Sequence, residues 1–501
     1  MATAAEGMPF GSRIHQVAES DPDGVAILFA AADGSDREVT WRELDERSTQ
    51  LAHVFARHGL GLGDFLAIGL RNQPEHLMVA FGAWKVGATV VPVRWDLPAW
   101  EQERVLAAVR PKLVVAENGP DYLAESLDAP TTRLPEVVSP RAFGICSGGS
   151  TGIPKVIVVD QPGVFFSAAA KNFLVESYAP LPQPQRVLIP APLYHTNGFA
   201  AINNLLNAEP IVLLERFDPV HILDLVERLR ITGFIAATTM LQRLQRVEGI
   251  ESRDLSSLDW VQQGASPLPT WLGRRWCELV GPERFFVSYG ATERHGVVVA
   301  RGDQWLAHPG TVGLPFGDTE VAVLDPDGNP LPPGEVGGIY MRATAIPPTT
   351  YRGDGVTQLT RTEDGFLSVG DLGWVDDDGF LYIADRRVDM IVTGGSNVYP
   401  AEVEAAVSEH PEVADVVVVG LSDPEWGRRV HAIIQPTDAA APPDVSELLA
   451  WTKSRLSSYK VPKTVEFVDR MPRSEAMKVN RQALVAERDG VDTGVVAGPT
   501  A

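Results

Sequence analysis

From about residue 40 to residue 300 the chain alternates between stretches with helical periodicity and short apolar runs, and that alternation admits few folds. Thr40–Gly59 reads as a helix whose apolar face is Leu44, Leu51, Val54 and Phe55. Asp64–Leu70 reads as a buried strand, His76–Lys85 as a second helix and Ala88–Val93 as another strand. Leu113–Ala116, Arg186–Pro190 and Ile211–Leu214 are runs of the kind that sit inside a mostly parallel sheet, with helices such as Val220–Arg230 between them. The expectation is a large N-terminal part of layered α/β subdomains. From about Thr311, Gly, Pro and Asp punctuate short strands at Glu320–Leu324, Gly338–Met341, Phe366–Val369 and Phe380–Ala384, which predicts a small β-rich subdomain. Beyond Arg386, a strand–turn run (Val388–Tyr399), a helix (Pro400–Ser408) and strands at Val413–Val419, Trp426–Ile434 and Thr464–Phe467 predict a small α+β domain. The expected division is 1–385, with the β-rich part over about 311–385, and 386–501; Val491–Ala501 reads as a loose tail.

A length of 501 residues exceeds what one compact core supports, in keeping with two domains. The formal net charge of -22 argues against a nucleic-acid backbone as partner. Two cysteines, Cys146 and Cys277, cannot build a disulfide scaffold or a zinc cluster and read as buried small hydrophobes in a reducing compartment. Met1–Met8 lacks the basic head and apolar core of a signal peptide, and Phe81–Val93 is too short and too interrupted to span a bilayer. A cytoplasmic location is expected.

Five segments carry chemistry. Ser147-Gly148-Gly149-Ser150-Thr151-Gly152-Ile153-Pro154-Lys155 lies between two apolar runs. Its glycines let the backbone approach an anion, its hydroxyls donate, and Lys155 adds positive charge. It is no Walker A loop, because the glycine spacing differs and Val156 follows the lysine. Tyr289-Gly290-Ala291-Thr292-Glu293 follows the apolar run Phe285–Val287, and a carboxylate beside a hydroxyl at a strand end suits Mg²⁺ held against phosphates. Tyr289 could stack on a base. Asp371, between Gly370 and Gly373, could accept both hydroxyls of a ribose, with Arg386 downstream. Gly394-Gly395 marks a turn or a close backbone approach. Lys478 closes the set; alone it would read as solvated surface.

Together and in this order, over roughly Trp41 to Arg481, these segments resemble the adenylate-forming superfamily of acyl- and aryl-CoA synthetases, adenylation domains and beetle luciferases. The resemblance implies the adenylate-forming fold: a large N-terminal AMP- and acyl-binding domain and a mobile C-terminal one. It implies that Ser147–Lys155 grips the β- and γ-phosphates, that Tyr289 packs on adenine, and that Thr292 meets the α-phosphate. Glu293 would carry Mg²⁺. Gln263, Gly264, Ala265 and Ser266 would line the adenine and acyl pockets, with Gly290 and Ala291 beside them. Asp371 and Arg386 would hold the ribose, His195 would stand beside the acid carboxylate, and Lys478 would reach the carboxylate and α-phosphate. Gly394 and Gly395 would form the channel for coenzyme A after the small domain rotates.

The implied activity is ATP-dependent ligation of a hydrophobic carboxylic acid to coenzyme A, through an acyl-adenylate and with release of pyrophosphate and AMP. The candidate acyl pocket draws on His195–Ala200, Ile235–Met240 and Gln262–Ser266, with Phe199, Phe234 and Met240 as apolar lining. Fatty, aryl and steroid acids stay open, although Ala80–Pro98 is similar in wording to bacterial ligases for bile-type acids. Alternatives are delivery of the acyl group to a carrier-protein thiol, and a nucleotide-binding protein that has lost catalysis. The partners expected are the acid and coenzyme A, with no nucleic acid and no stable membrane insertion; a homodimer is left open. Three positions depart from the family pattern: Val388 at the hinge, Ala476-Met477 before the lysine, and Arg428 after Gly427. The second predicts a stiffer loop around Lys478, and the third leaves Arg428 between a coenzyme A phosphate contact and plain surface.

Overall fold

The computed structural model describes residues 7–148, 154–166, 173–356, 358–359, 361–386, 389–490 and 496–497. The first long helix, Trp41–Arg57, begins where the sequence supplies a cap: Thr40 Oγ1 accepts the Glu43 N–H at 3.1 Å. It packs against Pro74–Lys85, which opens with proline and is buried at nearly every position through Trp84.

A 13-stranded sheet runs through the large domain. Val25–Ala30, Ile211–Leu214, Val187–Ile189, Gly233–Ala237, Trp260–Gly264 and Phe285–Gly290 lie parallel in that spatial order. Side chains alternate between two cores, so that Ile211 and Leu213 face one cluster while Val212 and Leu214 face the other. This is why these strands read as continuous apolar runs. Leu113–Ala116 belongs instead to a second, 3-stranded parallel sheet with Phe65–Gly69 and Thr89–Pro92.

The β-rich segment is not a free-standing sheet. Its strands continue the large sheet through Val297–Arg301 and Thr311–Pro315, both antiparallel to their neighbours. Phe366–Val369 forms no strand and contributes only bridges at Leu367. The strand is Asp371–Val375, paired with Leu381–Arg386 across the turn at Asp376–Gly379. Asp371–Val375 and Phe285–Gly290 stand four places apart in the sheet order. On a flat sheet that is about 19 Å at ~4.8 Å per strand. Yet the Tyr289 hydroxyl donates to Asp371 Oδ2 at 2.7 Å. The sheet therefore curls back on itself, around Val298, Ile339, Met341 and Leu381. Register shifts at Thr311/Gly313 and Leu372/Gly373 permit the curl. At Gly313, φ is +113° and a Cβ would lie 2.0 Å from the Val299 carbonyl carbon, so only glycine fits.

Gly144–Gly148 and Pro154–Val159 form an antiparallel hairpin, joined on its far edge by Thr349–Arg352. In the small domain Val413–Asp423 and Gly427–Pro436 make a long hairpin, with Thr464–Phe467 parallel to the second arm. Val416 and Val418 face one core and Val417 and Val419 another, the two being covered by Pro400–Ser408 with Val445–Lys453 and by Arg481–Arg488. The helices Val445–Lys453 and Arg481–Arg488 were not anticipated. The expected loose tail is corrected at Val496–Ala497, which pair with Val465 and Thr464. Arg246 bridges the two domains by donating to the carbonyls of Val413 and Ala414. Among the described residues no helix is long and apolar enough to cross a membrane.

Candidate active site

The site forms beyond the carboxyl end of Phe285–Gly290, where the sheet changes from parallel to antiparallel. Ligands of open α/β sheets bind outside such carboxyl ends. Glu293 sits there, 9% exposed. Its Oε1 accepts from the Tyr351 hydroxyl at 2.6 Å and lies 3.5 Å from Lys155 Nζ. The Lys155 ammonium also stands 3.8 Å from the centre of the Tyr351 ring. Burial lowers the Lys155 pKa; Glu293 opposes that and Arg386 adds to it. Lys155 and Ser147 are cross-strand partners in the hairpin, as are Gly148 and Pro154. Gly149, Ser150, Thr151 and Gly152 lie outside the described residues, as does Val388. Tyr351 escaped the sequence reading, since Thr349–Arg352 carries no motif and reaches Glu293 only through the hairpin's far edge.

Tyr289, Asp371 and Arg386 converge as a second group. Arg386 Nε is 3.4 Å from Asp371 Oδ1, and the two residues are register partners. Burial, then the Asp371 carboxylate, pushes the Tyr289 hydroxyl well above its ordinary value. The phenol is therefore a fixed donor, and its ring packs against the interior of the curl.

The third group joins the two domains. The turn after Pro192 presents His195, whose ring lies 4.6 Å from that of Tyr194, while Thr196 and Thr292 share a hydroxyl contact of 2.9 Å. Burial first, then the cations Lys478 and Arg94, bring the His195 pKa down to about 3, so the imidazole is neutral. Lys478 keeps surface open to water, while nearby protein partly desolvates its ammonium. That desolvation lowers its pKa; Arg386 adds to the effect and Glu293 opposes it. Among the described residues its ammonium makes no hydrogen bond.

The loop that presents it is clasped twice. Glu475 Oε2 accepts from Trp95 Nε1 at 3.2 Å and from the Tyr194 hydroxyl at 3.4 Å. Met477 packs against the core beneath the large sheet and adopts φ +60°, a left-handed conformation unusual for a side chain with a Cβ. The stiffer loop expected from Ala476-Met477 is a loop pinned to the other domain.

Against this geometry the comparisons with known proteins are decisive. The AMP-binding enzyme profile matches residues 14–348, and the AMP-binding enzyme C-terminal domain profile matches 402–478. The chain belongs to the AMP-binding enzyme family. It is 32% identical over 463 residues to a feruloyl-CoA synthase of an Amycolatopsis species, covering 88% of this chain and 92% of that one. It is 31% identical over 496 residues to a 2-succinylbenzoate–CoA ligase of Bacillus velezensis, covering 95% and 97%. The o-succinylbenzoate CoA synthetase of Bacillus subtilis, in complex with its acyl-adenylate intermediate, superposes with a TM-score of 0.82 at 26% identity, over 99% of this chain and 100% of that chain.

Elsewhere this family member departs from the sequence expectations. Phe199, Phe234 and Met240 do not line one pocket, since Phe199 is buried on one face of the sheet and the other two on the opposite face. Strand alternation makes the substitution: Ile235, next to Phe234, faces the Phe199 side. Gln263 points away from the pocket. Its amide donates to Thr238 Oγ1 at 2.9 Å and to the Ser266 carbonyl at 2.6 Å, shaping the turn in which Ala265 takes φ +72°. Gly264 pairs with Ala237 and comes closest to Ser288 Oγ, where a Cβ would lie 3.2 Å away. Gly394 and Gly395 form the tip of the hairpin Ile391–Thr393/Ser396–Val398, where the Gly394 amide donates to the Trp426 carbonyl at 2.9 Å. No described hydrogen bond ties that tip to the Lys478 site. Arg428 is exposed and lies near Asp489. Cys277 is buried, Cys146 is half-buried with its thiol pushed up to about 12, and neither is in a disulfide.

Proposed function

We propose that this chain is an ATP-dependent acid–CoA ligase that adenylates a hydrophobic, aryl-type carboxylic acid and passes the acyl group to coenzyme A. The observation that carries the reading is the arrival of Lys478, from the far end of the chain, among His195, Arg386 and Glu293. A carboxylate oxygen attacks the α-phosphorus of ATP, and pyrophosphate leaves toward the Ser147–Lys155 hairpin. Lys478, with no bond of its own among the described residues to give up, offsets the charge growing on the phosphoryl oxygens. The neutral His195 flanks the carboxylate without adding a proton. Asp371 and Arg386 take the ribose, and Tyr289 walls the adenine. Thr292 and Glu293 are hard oxygen donors that suit Mg²⁺, and both described donors to the Glu293 carboxylate fall on Oε1. When bound with ATP, the cation supplies positive charge against the phosphates. Coenzyme A thiolate then attacks the acyl carbon along Gly394–Gly395, and AMP leaves. No protein nucleophile is needed, in accord with the raised pKa of the half-buried Cys146 thiol.

The feruloyl and 2-succinylbenzoate ligases among the relatives support an aryl acid, a fatty acid–[acyl-carrier-protein] ligase of Streptomyces coeruleorubidus at 30% identity supports the alternative, and the small row Ala237, Gly264 and Ser288 favours a flat ring. Free cysteines fit a reducing cytoplasm. The test is a panel of aryl, fatty and steroid acids, scored for AMP release with ATP and either coenzyme A or a carrier protein. Coenzyme A thioester from an aryl acid is expected; release only with carrier protein would overturn the acceptor.

A further inference from the structure

The strands Gly233–Ala237, Trp260–Gly264 and Phe285–Gly290 place Ile235, Gln262 and Phe286 level with one another. Paired residues on neighbouring strands share a face. Phe286 belongs to the core that holds Phe199, and Ile235 packs on it, so Gln262 points into the same side. It is 6% exposed. Its Nε2 donates to Ser288 Oγ at 2.9 Å, and Ser288 Oγ donates its single proton to the Gln263 carbonyl at 3.1 Å. Ser288 must therefore accept from Gln262, which fixes the amide's orientation. Gln262 Oε1 is left buried and without a partner among the described residues. Folded proteins rarely leave such an acceptor unmatched.

Its depth says what could reach it. Thr292 stands beyond the carboxyl end of Phe285–Gly290 and His195 beyond that of Val187–Ile189, and Gln262 lies two residues further in than Gly264, about 6.6 Å deeper at ~3.3 Å per residue. Between them the level of Ala237 and Gly264 carries almost no side chain. An acid whose carboxylate meets Lys478 and whose ring fills that level brings its far edge to Gln262.

We propose that Gln262 Oε1 accepts a hydrogen bond from the substrate, so that the acid carries a hydroxyl or amino donor on its ring at the end remote from the carboxylate. This rests on the acid–CoA ligase reading. A site with a buried acceptor discriminates strongly against the analogue lacking the donor, which leaves that acceptor unpaired.

The experiment compares acid-dependent ATP–pyrophosphate exchange with cinnamic, 4-hydroxycinnamic and 4-aminocinnamic acids for the wild-type enzyme and Gln262→Leu. The wild type is expected to favour the hydroxy or amino acid by about tenfold or more in kcat/KM. Gln262→Leu is expected to bring the three within about threefold, by losing the donor-bearing acids and gaining cinnamate. Equal wild-type use of cinnamate and both donor-bearing acids overturns the inference and leaves the ligase reading standing, and so does a preference that survives Gln262→Leu. No exchange with any acid of the aryl, fatty and steroid panel overturns both. The wild-type comparison decides even if the variant fails to fold.

Discussion

Two lysines in this chain are both held below their ordinary pKa by burial, and they are built for opposite ends. Lys85 is surrounded by acceptors: Asp45 Oδ1 at 2.6 Å, the Asp45 carbonyl at 2.8 Å, Ser48 Oγ at 2.8 Å and Thr49 Oγ1 at 2.7 Å. Lys478 has no hydrogen-bonded acceptor among the described residues, and its surroundings add the cation Arg386. Glu293 offsets that only in part, and proteins tolerate an under-compensated charge where a ligand completes the site. A satisfied lysine holds a fold together; an unsatisfied one waits for charge.

Lys478→Ala breaks that contrast most directly. Acid-dependent pyrophosphate release is expected to fall about 10²–10³-fold, as when a positioned oxyanion donor is removed. Thioester formation from supplied acyl-adenylate is expected to persist, and the melting temperature to stay put, since among the described residues the ammonium makes no hydrogen bond to lose. Lys85→Ala should do the reverse. Breaking a buried pair costs about 3–5 kcal/mol, seen as a lower denaturant midpoint, while the turnover of the remaining folded enzyme is unchanged. A loss of turnover without a loss of stability would show that Lys85 is more than structural.

Glu475→Ala sharpens the comparison by leaving Lys478 present but unclasped. Adenylation is expected to drop roughly tenfold, because reacting groups displaced by about an ångström lose much of their advantage. Thioester formation from supplied adenylate should be spared, and an unchanged adenylation rate would remove Glu475 from the presenting loop. The smallest effect concerns pH. The folded His195 value of about 3 lies below the imidazole's ordinary value near 6.5, so its contribution to stability is complete above that value and fades as pH falls toward 3. Between pH 5 and 9 the ring stays neutral, and His195→Phe should leave the shape of the pH–rate profile unaltered. A limb near 6.5 that vanishes in the variant would reverse the assignment.

Much of this was readable before any coordinates. The helices Trp41–Arg57 and Pro74–Lys85 show in the spacing of apolar residues, and the parallel strands show as runs buried on both faces. Asp371–Val375 went unread as a strand because Gly373 breaks its apolar run, and the curled sheet needs glycine there, where Gly373 meets the Tyr382 carbonyl. Tyr351 was invisible because its importance lies in a three-strand neighbourhood rather than in a local pattern. The acyl lining went wrong at Phe234 and Met240, which face the core opposite Phe199; for Phe234 the period-2 alternation of its strand was not applied.

The bond from Tyr289 to Asp371 ties together strands that are distant in the order of the sheet. The ends of these two strands are thereby parts of one wall. Amide hydrogens along Phe285–Gly290 and Asp371–Val375 should exchange as a single cooperative unit, although more than eighty residues of chain separate them.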